Sequence, residues 1–189
     1  PVSDLKGLLE YLRKNPGKLN YASAGNGTSH HLAGELFKLQ TNTFITHIPY
    51  RGAGPALQDL IAGQVDMMFD GMGSSSAHIR AGRIKALAVA SQKRAPGFAD
   101  IPTSLEAGGP DYQVSTWYGI WAPKGTPKEI VDKLNAAARK VLEDPAVRKR
   151  IEETGSLIVG NTPAEFAAQI AAEFQVYKDV VAKQKLVPE

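Results

Sequence analysis

Asn20-Tyr-Ala-Ser-Ala-Gly-Asn-Gly-Thr-Ser-His-His31 reads as a short strand, a glycine-broken turn and the capped start of a helix. Residues 20–24 alternate as a strand does, and Gly25-Asn26-Gly27 supplies residues able to take the positive φ of a tight turn. Thr28 and Ser29 are good helix N-caps, and the apolar spacing of residues 31–37 is helical. Such a strand–turn–helix aims backbone N–H groups and the positive end of a helix dipole at one place. That place suits a carboxylate or a phosphate, although every α/β protein also contains βα turns that bind nothing.

Working outward, the same alternation recurs. Residues 3–14 form an amphipathic pattern, with Ser3 as N-cap and Leu5, Leu8, Leu9 and Leu12 on one face. A second strand is expected over 44–50, a helix from Gly52-Ala53-Gly54-Pro55 to Ala62, and a buried strand over 65–69. Ser74-Ser75-Ser76 opens a short helix ending at Gly82, and 84–90 reads as a further strand. Strand–helix alternation with short connections predicts an α/β fold, a mostly parallel sheet flanked by helices. Ligands of such sheets lie outside the carboxyl ends of the strands. Residues 23–29, 51–55 and 70–76 all fall there, which predicts a pocket at that edge. Beyond residue 92 come loops, a short helix at 104–107 and a strand over 114–122 carrying Trp117, Tyr118 and Trp121. Helices over 128–143 and 144–153, a brief strand at 157–159 and a capping-box helix from Thr162 to about Gln184 complete the chain.

Composition narrows the function. Of 189 residues, 43% are hydrophobic and 22% charged, as in ordinary folded proteins. The net charge is only +3, and Arg148-Lys149-Arg150 is followed by Glu152 and Glu153. This is a solvated helix face without interleaved aromatics, so no nucleic-acid partner is expected. The absence of cysteine excludes disulfides and thiolate sites. No apolar run is long enough to span a membrane as a helix. No cofactor or metal is expected either: His30 and His31 are adjacent and point different ways, and a zinc pair prefers i, i+4.

The candidate ligand contacts are Ser23, Ala24, Gly25, Asn26, Gly27, Thr28, Ser29 and His30 in the first turn, Gly52 and Ala53 in the second, and Asp70 in the third. The glycines allow close backbone approach, and the hydroxyls add donors. Asp70 ends a buried strand and needs a partner, either Arg51 or an amino group on a ligand. Asp66 reads as structural. Ser23 or Ser29, His30 and Asp70 are also the residue types of a hydrolase triad, but no nucleophile elbow frames them. A third alternative is the effector-sensing domain of a regulator, since sensors reuse such folds.

Several ordered segments carry a resemblance: residues 15–37, His47-Ile-Pro-Tyr-Arg-Gly-Ala-Gly-Pro-Ala-Leu57, Gly63-Gln-Val-Asp-Met-Met-Phe-Asp70, Ile101-Pro-Thr103 and Trp117-Tyr-Gly-Ile-Trp-Ala-Pro-Lys-Gly-Thr-Pro127. Together they resemble the tripartite tricarboxylate transporter receptors, the Bug or TctC family of bacterial periplasmic solute-binding proteins. The resemblance implies a two-lobed, type II periplasmic-binding-protein fold that captures a small organic acid or amino acid between its lobes and delivers it to membrane permease subunits. It implies that residues 1–116 are the second lobe, and that 117–189 return to complete a first lobe whose N-terminal part is absent from this chain. A chain beginning at Pro1 is then expected to be a processed or partial form, or a short relative. The first-lobe surface around Trp117, Tyr118, Ile120 and Trp121 is expected to be exposed and to favour self-association.

Overall fold

The structure, a computed structural model, describes residues 2–186. Helix α1 (Leu5–Lys14) is capped by Asp4, whose Oδ1 accepts the Gly7 N–H at 2.7 Å. The cap therefore lies one residue beyond the expected Ser3. Leu5, Leu8, Leu9 and Leu12 are buried as the pattern predicts. The Asn15 N–H and side-chain amide both donate to the Tyr11 carbonyl and close the helix.

Strand β1 (Asn20–Ser23) lies at the centre of a parallel sheet of order β2-β1-β3. It pairs with β2 (Thr46–Pro49) so that Tyr21 faces His47, and with β3 (Met67–Met68) so that Tyr21 faces Met67. Asp66 is structural: its carboxylate accepts the Asn20 N–H at 2.8 Å, and the Asn20 side chain accepts the Asp66 N–H at 3.1 Å. Alternation along β1 puts Tyr21 on the face covered by α1 and α2 (Ser29–Thr41), and Ala22 on the face covered by α3 (Ala53–Ile61). Helix α4 (Met72–Arg80) follows β3.

The remaining helices are α5 (Lys128–Glu143), α6 (Pro145–Glu152) and α7 (Pro163–Gln184). Helix α7 begins with the full capping box between Thr162 and Glu165, as read from the sequence. Near its C-terminal end Val180 enters the main core beside α2, and Gln184 Nε2 donates to the Glu35 carbonyl.

Five expected segments differ. The 65–69 strand shortens to two half-buried residues. The 84–90 run forms no ladder among the described residues beyond a single bridge between Val89 and Thr103, although Leu87, Ala88 and Ala90 pack on the core. Residues 114–122 and 157–159 are not strands, and 104–107 is a turn. Apolar runs report burial, whereas a strand also needs a neighbour to receive its hydrogen bonds. Among the described residues, the one backbone bond of this kind along 114–122 runs from Val114 N–H to the Ala90 carbonyl. Tyr118 is 89% exposed, Ile120 78% and Trp121 65%. Trp117 stands edge-on to Phe166 at 4.9 Å and donates its indole N–H to Glu173.

Candidate functional site

Each sheet strand ends in a turn that opens a helix, and the three turns share the carboxyl edge of the sheet. Two backbone bonds tie the first turn to the second: Tyr50 N–H to the Ser23 carbonyl and Gly52 N–H to the Ala24 carbonyl, both 3.0 Å. The first turn takes positive φ at Gly25 (134°) and Gly27 (73°). Only glycine tolerates this readily.

The direction of each amide in this turn decides what it can bind. The Gly25 N–H donates to Ser23 Oγ at 3.1 Å, and the Gly27 N–H donates to His31 Nδ1 at 3.1 Å. Thr28 donates its N–H to the Gly25 carbonyl and caps α2 by accepting the His31 N–H. The first intrahelical bond is Leu32 N–H to Thr28 O. The N–H groups of Ser29 and His30, at the first two helical positions, thus have no intrahelical acceptor. Ser23 is fully buried, and its hydroxyl braces the turn from beneath. Asn26 and Gly27 are exposed at the tip.

The second and third helices start without a side-chain cap, at Gly52 (φ 112°) and Gly71. Ala53 is the first residue of α3, and Arg51 beside it is exposed and makes no ion pair among the described residues. Thr116, from the connection after residue 114, reaches across so that its Oγ1 lies 2.9 Å from Ser29 Oγ.

Asp70 finds its partners within the fold, not in Arg51. Its Oδ2 accepts the Ser74 hydroxyl at 2.8 Å, and its Oδ1 lies 3.4 Å from His30 Nε2. Burial pushes the Asp70 carboxyl up, against the opposing pulls of Ser74 and His30. Burial pushes His30 down, against the pull of Asp70. His30 Nδ1 and Asp70 Oδ1 are buried without a hydrogen-bond partner among the described residues. Ser29 is bonded to Thr116 and not to His30, so no base stands ready to activate it.

His30 and His31 do point apart, the latter into a layer the sequence did not single out. His31 stacks on His47 with centroids 4.0 Å apart and planes 7° from parallel, and Tyr21 stacks on His47 at 4.9 Å. His47 Nε2 lies 2.6 Å from Ser23 Oγ. Below them Glu35 accepts the Tyr21 hydroxyl at 2.7 Å and pairs with Lys38 at 2.8 Å. Only the β1–β2 register brings His47 to this place, so nothing in its local sequence marks it.

A cavity of about 400 Å³ lies at the other end of α2, between Arg13, Lys38, Phe44 and Gln184. A second of about 240 Å³ lies between Ser91, Thr103 and Tyr112. Neither touches the three turns.

Residues 1–186 match the tripartite tricarboxylate transporter family receptor profile. The chain belongs to that family. It is 41% identical over 97% of its length to a UPF0065 protein encoded in the tcbD–tcbE intergenic region of Pseudomonas sp. strain P51, covering 55% of that protein. It is 36% identical over 95% of its length to BugT of Bordetella pertussis, covering 55% of it. A solved periplasmic transporter superposes with TM-score 0.89 at 45% identity, over 98% of this chain and 62% of the other. Rhodopseudomonas palustris Rpa4515, solved with adipate, gives 0.91 at 34% identity over 100% of this chain and 63% of the other. MatC from the same species, solved with bound malate, gives 0.87 at 37% identity over 96% of this chain and 63% of the other. The chain thus spans about half the length of these curated relatives and just under two-thirds of the solved ones. The family is one of periplasmic binding receptors and not of enzymes.

Proposed function

We propose that this chain forms the greater part of a receptor that captures a small carboxylate-containing metabolite in an interlobe cleft and hands it to the permease subunits of a tripartite tricarboxylate-type transporter. The observation that carries the proposal is the convergence of three helix starts on one sheet edge. The Ser29 and His30 amides, the uncapped start of α3 at Gly52 and Ala53, and the Arg51 guanidinium there offer donors and positive potential to an anion. Two relatives bound to dicarboxylates, adipate and malate, support the chemical class.

Residues 1–116 act as one lobe, and 117–189 complete a second together with chain that the longer relatives possess. The exposed Tyr118, Ile120 and Trp121 favour this division. Without such a covering, this apolar face drives self-association. Closure of the lobes on the ligand would shift an open–closed equilibrium and signal occupancy to the permease.

The test is a thermal-shift screen of organic acids, adipate and malate included, on the full-length protein. A ligand held at a hundred times its Kd adds about 2.7 kcal/mol to the native state, which raises Tm by several degrees. A screen in which no carboxylate shifts Tm would refute the reading.

A further inference from the structure

The two glycines at the tip of the first turn have their amides drawn inward, and two histidines lie behind both contacts. Gly27 donates to His31 Nδ1 at 3.1 Å, so that nitrogen must carry a lone pair and the ring proton must sit on Nε2, on the side facing Glu35. Gly25 donates to Ser23 Oγ, which is itself 2.6 Å from His47 Nε2. The two imidazoles are stacked at 4.0 Å, a separation that disfavours charge on both. We infer that His31 and His47 are positioning residues for the ligand-facing turn, a neutral stacked pair that turns the Gly25 and Gly27 amides inward and leaves those of Ser29 and His30 facing out. The ligand side of this inference rests on the carboxylate reading above; the turn geometry does not.

The charged neighbours are consistent with a neutral pair. Burial lowers His31 against the pull of Glu35 on the same helix, with Lys38 also opposing its protonation; burial and then the neighbouring His31 lower His47 on β2, again against Glu35 and with Lys38. Tyr21 on β1 stacks on His47 and bonds Glu35, and burial holds its hydroxyl protonated. A proton arriving at His31 Nδ1 would set donor against donor. Gly27 would then have to rotate, and the start of α2 would lose its fixed direction.

Nitrogen-15 spectra of the imidazole rings in the full chain, recorded from about pH 8 to about pH 4, read the tautomer directly. His31 should show an unprotonated Nδ1 and a protonated Nε2 at neutral pH. The Gly25 and Gly27 amides should lose their exchange protection as the rings titrate. His31→Asn keeps an acceptor near the Nδ1 position, so Gly27 should stay protected and lose its acid sensitivity. His31→Leu should speed Gly27 exchange roughly tenfold, the weight of one hydrogen bond. A proton on Nδ1 at neutral pH, or unchanged Gly27 exchange in His31→Leu, would overturn the inference, and the wild-type spectra decide it even if that variant does not fold. In calorimetry with adipate and malate, His31→Leu should bind at least about fivefold more weakly than His31→Asn. If no organic acid shifts the Tm of the full-length protein, the carboxylate reading fails, and the imidazole spectra still support or overturn the positioning role.

Discussion

Gly34→Ala should destabilise this protein sharply, although alanine is the better helix former. Gly34 lies mid-way along α2, where the helix crosses β1. A Cβ there would stand 2.5 Å from Tyr21 Cζ and 2.9 Å from its hydroxyl oxygen, nearly an ångström inside ordinary contact. Tyr21 has nowhere to go. It is fully buried, stacked on His47 at 4.9 Å, met edge-on by Phe69 at 5.5 Å and bonded through its hydroxyl to Glu35. Relief therefore requires α2 to lift away from the sheet. Helix propensity returns about 1 kcal/mol, while overpacking of a closed core costs about 1–3 kcal/mol and more where the neighbour is pinned. A net loss of about 2 kcal/mol is expected, or a fall in Tm of roughly 4–8 °C for a chain of this size. Urea unfolding followed by far-UV circular dichroism measures it. The cause is separable: in Tyr21→Leu, which opens the space, adding Gly34→Ala should be nearly neutral, giving a coupling of about 1–2 kcal/mol. A Gly34→Ala variant as stable as the parent, or strictly additive with Tyr21→Leu, would refute the close-approach argument. Ligand affinity should fall with the same substitution, because lifting α2 also moves the amides of Ser29 and His30.

Acid should weaken the fold through its histidines. Burial holds His47 at about 4 and lowers His31, so the unfolded chain binds the extra protons between about pH 6.5 and pH 4. That contribution is fully present above about pH 6.5 and is lost as pH falls toward 4, at a limiting slope of about 1.4 kcal/mol per pH unit per proton. Because His47 is only half-buried, a total of about 1–3 kcal/mol is expected, and His47→Gln should flatten the urea midpoint against pH; a midpoint independent of pH in the parent would count against it. Asp70 and His30 offset one another in this range, since burial raises the carboxyl and lowers the imidazole. Tyr21→Phe removes one donor from the buried Glu35 but leaves its pairing with Lys38, and should cost about 1.5–3 kcal/mol in urea unfolding; a loss below about 0.5 kcal/mol would mean the carboxylate does not need that donor. Arg51→Gln should leave Tm unchanged and weaken adipate or malate binding several-fold at low salt, with the difference shrinking as salt rises; equal affinities at low salt would exclude a role for that charge.

Much of the scaffold was legible because its signals are local. Thr28, Asp144 and Thr162 cap helices by bonds that need only the next few residues, and each does so here. Gly25 and Gly27 mark the first turn because few other residues take their backbone angles. The errors have a common origin. Residues 84–90 and 114–122 are apolar and β-branched enough to read as strands, yet laddering depends on a partner strand that composition cannot reveal. The two failures differ in consequence. The first run is packed on the core from one side, whereas the second lays Tyr118, Ile120 and Trp121 open to solvent.

The site was legible only as far as its address. Residue spacing places three turns at one edge of a parallel sheet, but the direction of an amide within a turn is set by what accepts it. For Gly27 the acceptor is His31, four residues along, and for Gly25 it is Ser23, two residues back. Both acceptors are in turn held by His47 on another strand, through a stack and a 2.6 Å contact that exist only because Tyr21 pairs with His47 in register. A one-residue slip of β2 would carry His47 to the opposite face. The turn would keep its glycines and its cap while losing the support beneath it. The direction of the amides at this edge, on which the proposed anion site depends, is therefore a property of strand register as much as of the glycine-rich turn, and register is the one quantity that short strands such as these leave weakly marked in sequence.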